Sequence, residues 1–107
     1  MTSATPPGLA TIERDEGVRA GFAEDASGLR LVPEAVARLG TPDEVAEVLR
    51  EAGRTGTPVT AAGAQTSYVG GSIADRGIVL SLRALDRVLA VDPERRTMRA
   101  EAGAYLG

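Results

Sequence analysis

The chain has 107 residues, enough for one small domain or part of a larger one, and a chain of this length buries only about 60–70% of its unfolded surface. Its net charge is −3, and its twelve basic residues are all arginine, interleaved with Asp and Glu; that excludes the basic patch a nucleic-acid binder needs. It has no cysteine and no histidine, which excludes disulfides, thiolate chemistry, a Ser-His-Asp triad and histidine metal sites within the chain.

The apolar payload is light. The aromatics are Phe22, Tyr68 and Tyr105, and much of the remaining apolar content is alanine. A weak core is expected unless other protein covers it. No apolar run approaches the roughly 18 residues of a membrane span. The N-terminus lacks the basic start and apolar stretch of a secretory signal, so the default location is cytoplasmic.

In chain order, residues 1–8 are rich in Ser, Thr, Pro and Gly and are expected to be disordered. Leu9 to Ala23 predicts a short helix, weakened by Gly17 and Gly21. "EDASGLRLVP" is turn-rich and ends at Pro33, which favours an extended Val32. "EAVARL", Glu34 to Leu39, predicts a strand with Val36 as its best core residue.

The clearest local signal is "TPDEVAEVLREAGRTG". Thr41 is an N-cap, Pro42 occupies the first helical position and Glu44 completes a capping box. Asp43 and Glu44 suit the positive end of the helix dipole; Arg50 and Arg54 suit the other end. Val45, Val48, Leu49 and Ala52 form one apolar face, and Gly53 or Gly56 ends the helix. Pro58 to Ala62 predicts the next strand. Strand, helix, strand is the order of a βαβ crossover, so the two strands are expected to be parallel.

A loop follows in "VTAAGAQTSYVGG". It has glycines, hydroxyls and an amide, and no charged side chain. A turn leaving the carboxyl end of a parallel strand is a common ligand position. Glycines admit close approach, and successive backbone N–H groups form anion-binding concavities. Gln65, Thr66 and Ser67 add side-chain donors. The combination suits a diphosphate held by neutral donors. It matches neither the lysine-containing phosphate loop of NTPases nor G-x-G-x-x-G. The residues alone leave open a connection that holds nothing.

After the loop, Gly77 to Leu82 predicts a buried strand, "RALDRV" a short connection, and "VLAVD-PERR-TMRAEA" a hairpin turning at Asp92-Pro93. Met98, Ala100 and Ala102 alternate with Thr97, Arg99 and Glu101. Asp75 and Arg76 read as a solvated turn, Arg99 and Glu101 as surface, Ser81 as a buried hydroxyl, and Asp43, Glu44 and Glu47 as a solvated helix face. Tyr68 suits either packing or stacking on a ligand.

From about Asp25 to the end, this succession resembles the start of the FAD-binding domain of FAD-linked oxidases. The markers are "PEAVARL", "TPDEVAEVLREAG", "TPVTAAG", the Gly/Thr/Ser loop and "GIVLSLRALDRVLAVDPERRTMRAEAG". This is the vanillyl-alcohol oxidase or p-cresol methylhydroxylase (PCMH) type, to which D-lactate and glycolate oxidase flavoproteins belong. The resemblance implies an α+β fold: a small βαβ-containing subdomain with a C-terminal β-hairpin, forming the first half of a PCMH-type FAD-binding domain. Residues 1–33 would be an N-terminal extension and residues 34–107 the subdomain, apparently truncated.

It also implies that Gly63, Ala64, Gln65, Thr66 and Ser67 face the FAD pyrophosphate through backbone amides, with Gly70 and Gly71 closing the loop. Relatives often carry Arg-Gly-Gly-Gly-Thr-Ser where this chain has Ala62 to Ser67. The arginine is gone, and Ala64 and Gln65 add side chains, although the Gln65 amide could itself donate. Some relatives attach flavin through a histidine in this loop; the corresponding position here is Thr66, so FAD held non-covalently at this loop is expected. The implied activity is a flavin-dependent oxidoreductase acting on a hydroxy acid or alcohol. The family's domain is longer and a substrate domain follows it. Catalysis by this chain alone is therefore not expected, and a small-molecule substrate belongs to a full-length context. Two further possibilities are a truncated non-catalytic fragment and a binding module completed by a partner chain.

Overall fold

The computed structural model describes residues 11–105, so the disorder expected for residues 1–8 lies outside the described residues. Eight elements follow in order: β1 (Thr11–Glu13), α1 (Glu16–Gly21), β2 (Ala35–Arg38), α2 (Pro42–Thr55), β3 (Val59–Ala62), β4 (Ile78–Ser81), β5 (Val88–Asp92) and β6 (Thr97–Ala100). The first four strands form one sheet in the order β1-β2-β4-β3, and β5 and β6 form a separate antiparallel pair. Within the larger sheet β2 and β3 both run parallel to β4, and β1 runs antiparallel to β2.

The helix expected over Leu9 to Ala23 is divided. Thr11–Glu13 pairs along the free edge of β2, with Ile12 opposite Ala37. The chain turns helical only after Asp15, whose carboxylate accepts a hydrogen bond from the Val18 N–H at 3.1 Å. Pairing with an available strand edge outweighs a local preference that two glycines already weaken.

α2 forms where the capping signal places it. Thr41 Oγ1 accepts from the Glu44 N–H at 3.2 Å. Glu44 Oε1 reaches back to accept from the Gly40 N–H at 2.9 Å, one residue before the N-cap donor of the usual box. The helix ends at Gly56, which adopts a φ of 72° and donates its N–H to the Ala52 carbonyl. Of the apolar face, Val48 and Ala52 are buried and Val45 is half-buried, but Leu49 is 48% exposed. The stripe that meets the sheet is narrower than the stripe in the sequence.

The sheet has two covered faces. On one, Ala37, Leu39 and Leu80 pack against Val48, with Val45, Val59, Ile78 and Leu82 around them. On the other, Val36, Val79 and Ala62 meet Val18 of α1, Phe22 and Ala74. Val36 is fully buried. The expected βαβ strands are parallel but not neighbours, because β4 lies between them. Strand content explains the order: Val79, Leu80 and Ser81 are buried, as befits a strand covered on both sides, whereas β3 carries Thr60 and the exposed Ala61. Gly77 admits β4 to this slot. Its φ is 69°, and a Cβ there would collide with the Pro58 carbonyl.

The hairpin stands apart from this core. Val91 pairs with Met98, and a bulge falls between Val88 and Ala90. Asp92 Oδ1 accepts from the Arg95 N–H at 3.1 Å, which sets the turn predicted at Asp92-Pro93. Val88, Leu89, Val91 and Met98 are all more than half exposed.

Burial separates two leucines of equal chemistry. Leu39→Ala is expected to cost about 2–5 kcal/mol of unfolding free energy in urea titrations, because the side chain is enclosed. Leu49→Ala is expected to change it by no more than about 0.5 kcal/mol.

Candidate functional site: a neutral amide-lined cleft

The register sets Arg38, Ser81 and Ala62 level at the ends of β2, β4 and β3, so the chain leaves all three strands on one side of the sheet. A cleft of about 590 Å³ opens there. Gly63, Ala64, Gln65, Thr66 and Ser67 form one wall, Ala102 to Tyr105 form the other, and Ser72 lies between them. None of these residues carries a charge at neutral pH.

The backbone N–H groups of Gly63, Ala64, Gln65, Thr66 and Ser67 have no acceptor among the described residues. Five consecutive donors beside a cleft are a group of donors that an anion can satisfy. A diphosphate fits this donor set: it needs several donors and no compensating cation.

The predicted residues divide by position. Gly63 to Ser67 line the cleft together. Gly70 and Gly71 do not. Gly70 lies against Leu29, Ser27 and Ile73, and Gly71 donates its N–H to Ser67 Oγ at 3.1 Å. Ser67 Oγ also accepts from the Val69 N–H at 3.2 Å, so this hydroxyl braces the loop from within. The Gln65 amide, read from sequence as a ligand donor, is instead directed at protein carbonyls: Nε2 donates to Phe22 O and to Ser72 O, each at 3.0 Å. Tyr68 is 83% exposed and packs on nothing in the core.

Three features of the site were not read from the sequence. The first is the opposite wall. Gly103 donates its N–H to the Leu85 carbonyl at 2.8 Å, and a Cβ on it would collide with the Leu82 carbonyl. This close approach brings Ala102 to Tyr105 up to the loop. The second is Arg83, whose Nε donates to Gly63 O at 3.2 Å and whose guanidinium lies 6.0 Å from the Phe22 ring centroid. It fixes the carbonyl at the loop's first residue. The third is Glu101, expected at the surface. Its side chain is only 7% exposed and meets Arg87 in a two-pronged contact at 2.9 and 3.1 Å. The Arg87 hydrogen bonds hold its carboxyl below the usual carboxylate range. Only the pairing of distant segments reveals these three.

Asp25 supports the loop from behind. Its carboxylate accepts from the Ser27 hydroxyl, from the Ser27 N–H at 2.9 Å and from the Ser72 hydroxyl at 3.3 Å. The Ser27 hydroxyl contributes most to lowering its pKa. Asp75 and Arg76 are exposed, as a solvated turn would be, and Ser81 is buried. Among the described residues no helix is long and apolar enough to cross a membrane, and no acidic or histidine cluster could hold a metal ion.

Comparison with known proteins converges on one family. The profile of the FAD binding domain family matches residues 33–107. A D-lactate dehydrogenase of Anaerostipes hadrus is 31% identical over 75 residues, covering 69% of this chain and 16% of that protein. An uncharacterized FAD-linked oxidoreductase of Mycobacterium tuberculosis is 31% identical over 84 residues, covering 78% of this chain and 18% of that protein. Among solved structures, 6-hydroxy-D-nicotine oxidase from Arthrobacter nicotinovorans superposes with a TM-score of 0.71 at 22% identity, over 95% of this chain and 23% of that one. An alkyldihydroxyacetonephosphate synthase gives 0.73 at 17% identity, over 94% and 22%. The fold is thus that of the PCMH-type FAD oxidases. The chain belongs to the FAD-binding domain family of FAD-linked oxidases, and it spans less than a fifth of the length of these curated relatives.

Two outcomes check the site's scaffold. Gly103→Ala is expected to lower unfolding free energy by about 1–3 kcal/mol in urea, since the added methyl meets backbone rather than a flexible side chain. Asp25 has a folded pKa below its unfolded value of 3.8, so its contribution is complete above that pH and is lost as pH falls through the folded value. Asp25→Asn should therefore be less stable than the parent at pH 7. The gap between their urea midpoints should narrow as the pH is lowered past 3.8.

Proposed function

We propose that this chain binds the diphosphate of FAD, non-covalently, on the backbone amides of Gly63 to Ser67, with Gly70 and Gly71 setting the loop's closure. It does so as part of a flavin-dependent oxidoreductase acting on a hydroxy acid or alcohol. The observation that carries this reading is the run of five N–H groups without acceptors among the described residues, beside a neutral cleft at the strand ends. The amides direct partial positive charge at the anion without a lysine, and the small lining side chains admit it to the backbone. Arg83 holds the Gly63 carbonyl, which keeps the first peptide of the loop in a fixed orientation. Bound flavin would supply the hydride-accepting chemistry; this chain's residues bind and orient it.

Thr66 stands at the loop position where the resemblance puts a flavin-linking histidine in some relatives, which supports non-covalent attachment at this loop. The hydroxy-acid substrate class rests on the likeness to a D-lactate dehydrogenase. The exposed apolar side chains of β5 and β6 favour a shared site, in which further protein packs on the hairpin and completes the flavin contacts. That protein can be a continuation of this chain or a partner.

The test is titration of the chain with FAD, read by flavin fluorescence, alongside FMN, which lacks the diphosphate bridge, and ADP, which has it. FAD is expected to bind, ADP to compete and FMN to bind more weakly. Ala64→Asp, which sets a carboxylate beside the anion, should raise the FAD Kd at least about tenfold while leaving the melting temperature unchanged. Equal binding of FMN and FAD, or no effect of Ala64→Asp, would remove the diphosphate assignment.

A further inference from the structure

Gln65 stands out in the loop. Its φ is 55°, in the left-handed region where glycine is the ordinary choice, and only Arg96 among the other described non-glycine residues shares that feature. A residue that bears a side chain in that conformation needs something to hold it there. Here the side chain does. Gln65 Nε2 donates to Phe22 O, 43 positions away, and to Ser72 O, seven positions on. The nitrogen must face these two atoms, because the amide oxygen would set an acceptor against two acceptors.

The contacts join three segments. Phe22 lies just beyond α1 and packs on the sheet face formed by Val36, Val79 and Ala62. Ser72 is buried at the far end of the loop, and its hydroxyl is tied to Asp25. Asp25 is in turn braced by Ser27, whose hydroxyl accepts from the Leu29 N–H at 3.1 Å. Both protons of one amide therefore clasp the loop's two ends to the core. With that side chain tied to the protein, residues Gly63 to Ser67 line the cleft.

The geometry points to Gln65 as a positioning residue: a latch that holds the loop in its ligand-ready shape before any ligand arrives, using the side chain to do what glycine would leave to chance. That the ligand is the FAD diphosphate rests on the function proposed above; the latch itself does not depend on it. Preorganisation of this kind removes an ordering cost from binding.

The experiment compares the full chain with Gln65→Ala, Gln65→Gly and Gln65→Glu by hydrogen exchange without ligand, then by FAD titration. The Val69 and Gly71 amides, both held by Ser67 Oγ inside the loop, are the reporters. They are expected to exchange about tenfold faster in all three variants, with α2 amides unchanged as the control for folding. Glu should be the fastest, since its carboxylate faces two carbonyl oxygens. Glycine is the decisive variant. It suits the backbone conformation better than glutamine, so a purely conformational role predicts equal or slower exchange, and that result would overturn the latch. Unchanged exchange in Gln65→Ala would overturn it as well. FAD affinity should fall about tenfold in the same variants. If the parent chain binds no FAD, the diphosphate reading fails while the exchange data still decide on the latch.

Discussion

The placement of β4 between β2 and β3 is the constraint on which the rest of this structure depends. A strand covered on both faces must be apolar on both, and Val79 and Leu80 meet that demand with almost no exposure. Inserting it requires the backbone to pass close to Pro58, which Gly77 alone allows. Once β4 is seated, its register with β2 and β3 puts three strand exits side by side. The loop after β3 and the connection after β4 then face each other, and the segment after β6 folds back onto them through Gly103 and Leu85. The cleft is a consequence of strand order.

Hydrogen bonding is distributed unevenly around that cleft. The residues behind the loop are tied to one another: Gln65 to Phe22 and Ser72, Ser72 to Asp25, Ser67 to Val69 and Gly71. The peptide N–H groups in front have no protein acceptor among the described residues. Side chains satisfy the scaffold, while the backbone donors of the residues that line the cleft stay without a partner among the described residues. This arrangement suits an anion without using charge, in keeping with a chain that has no lysine and an acidic balance. The hairpin follows a different rule. Its turn is locally determined by Asp92, but Val88, Leu89, Val91 and Met98 are more than half exposed among the described residues. The stability of such a pair comes from what packs on it.

How much of this was legible in the residues varied with the range of the interaction. The α2 caps, the Asp92 turn and the buried Val36 rest on signals within a short window, and each is found where expected; the family resemblance rests instead on the order of segments along most of the chain, and the family profile matches residues 33–107. The neutral loop at a strand end was equally legible, and Gly63 to Ser67 do come together on one wall. The destination of the Gln65 amide was not, because its acceptors come from Phe22 and Ser72, one of them 43 residues distant. Glu101 resembled a surface carboxylate because alternation along β6 says nothing about Arg87, which meets it across the base of the hairpin. Leu49 belongs to the apolar stripe by periodicity, yet α2 meets the sheet through Val45 and Val48, and Leu49 stays 48% exposed. The helix expected before Ala23 gave way to β1 because the open edge of β2 is invisible in a local window.

Local residue patterns suffice for the elements whose hydrogen bonds close within a few positions, together with the chemical character of the loop: small, neutral and rich in donors. The tertiary structure alone decided the order of the strands, the second wall of the cleft and the direction of the Gln65 side chain. Each of those depends on pairing between residues far apart in the chain, and such pairing is selected by burial and backbone approach rather than by any local preference.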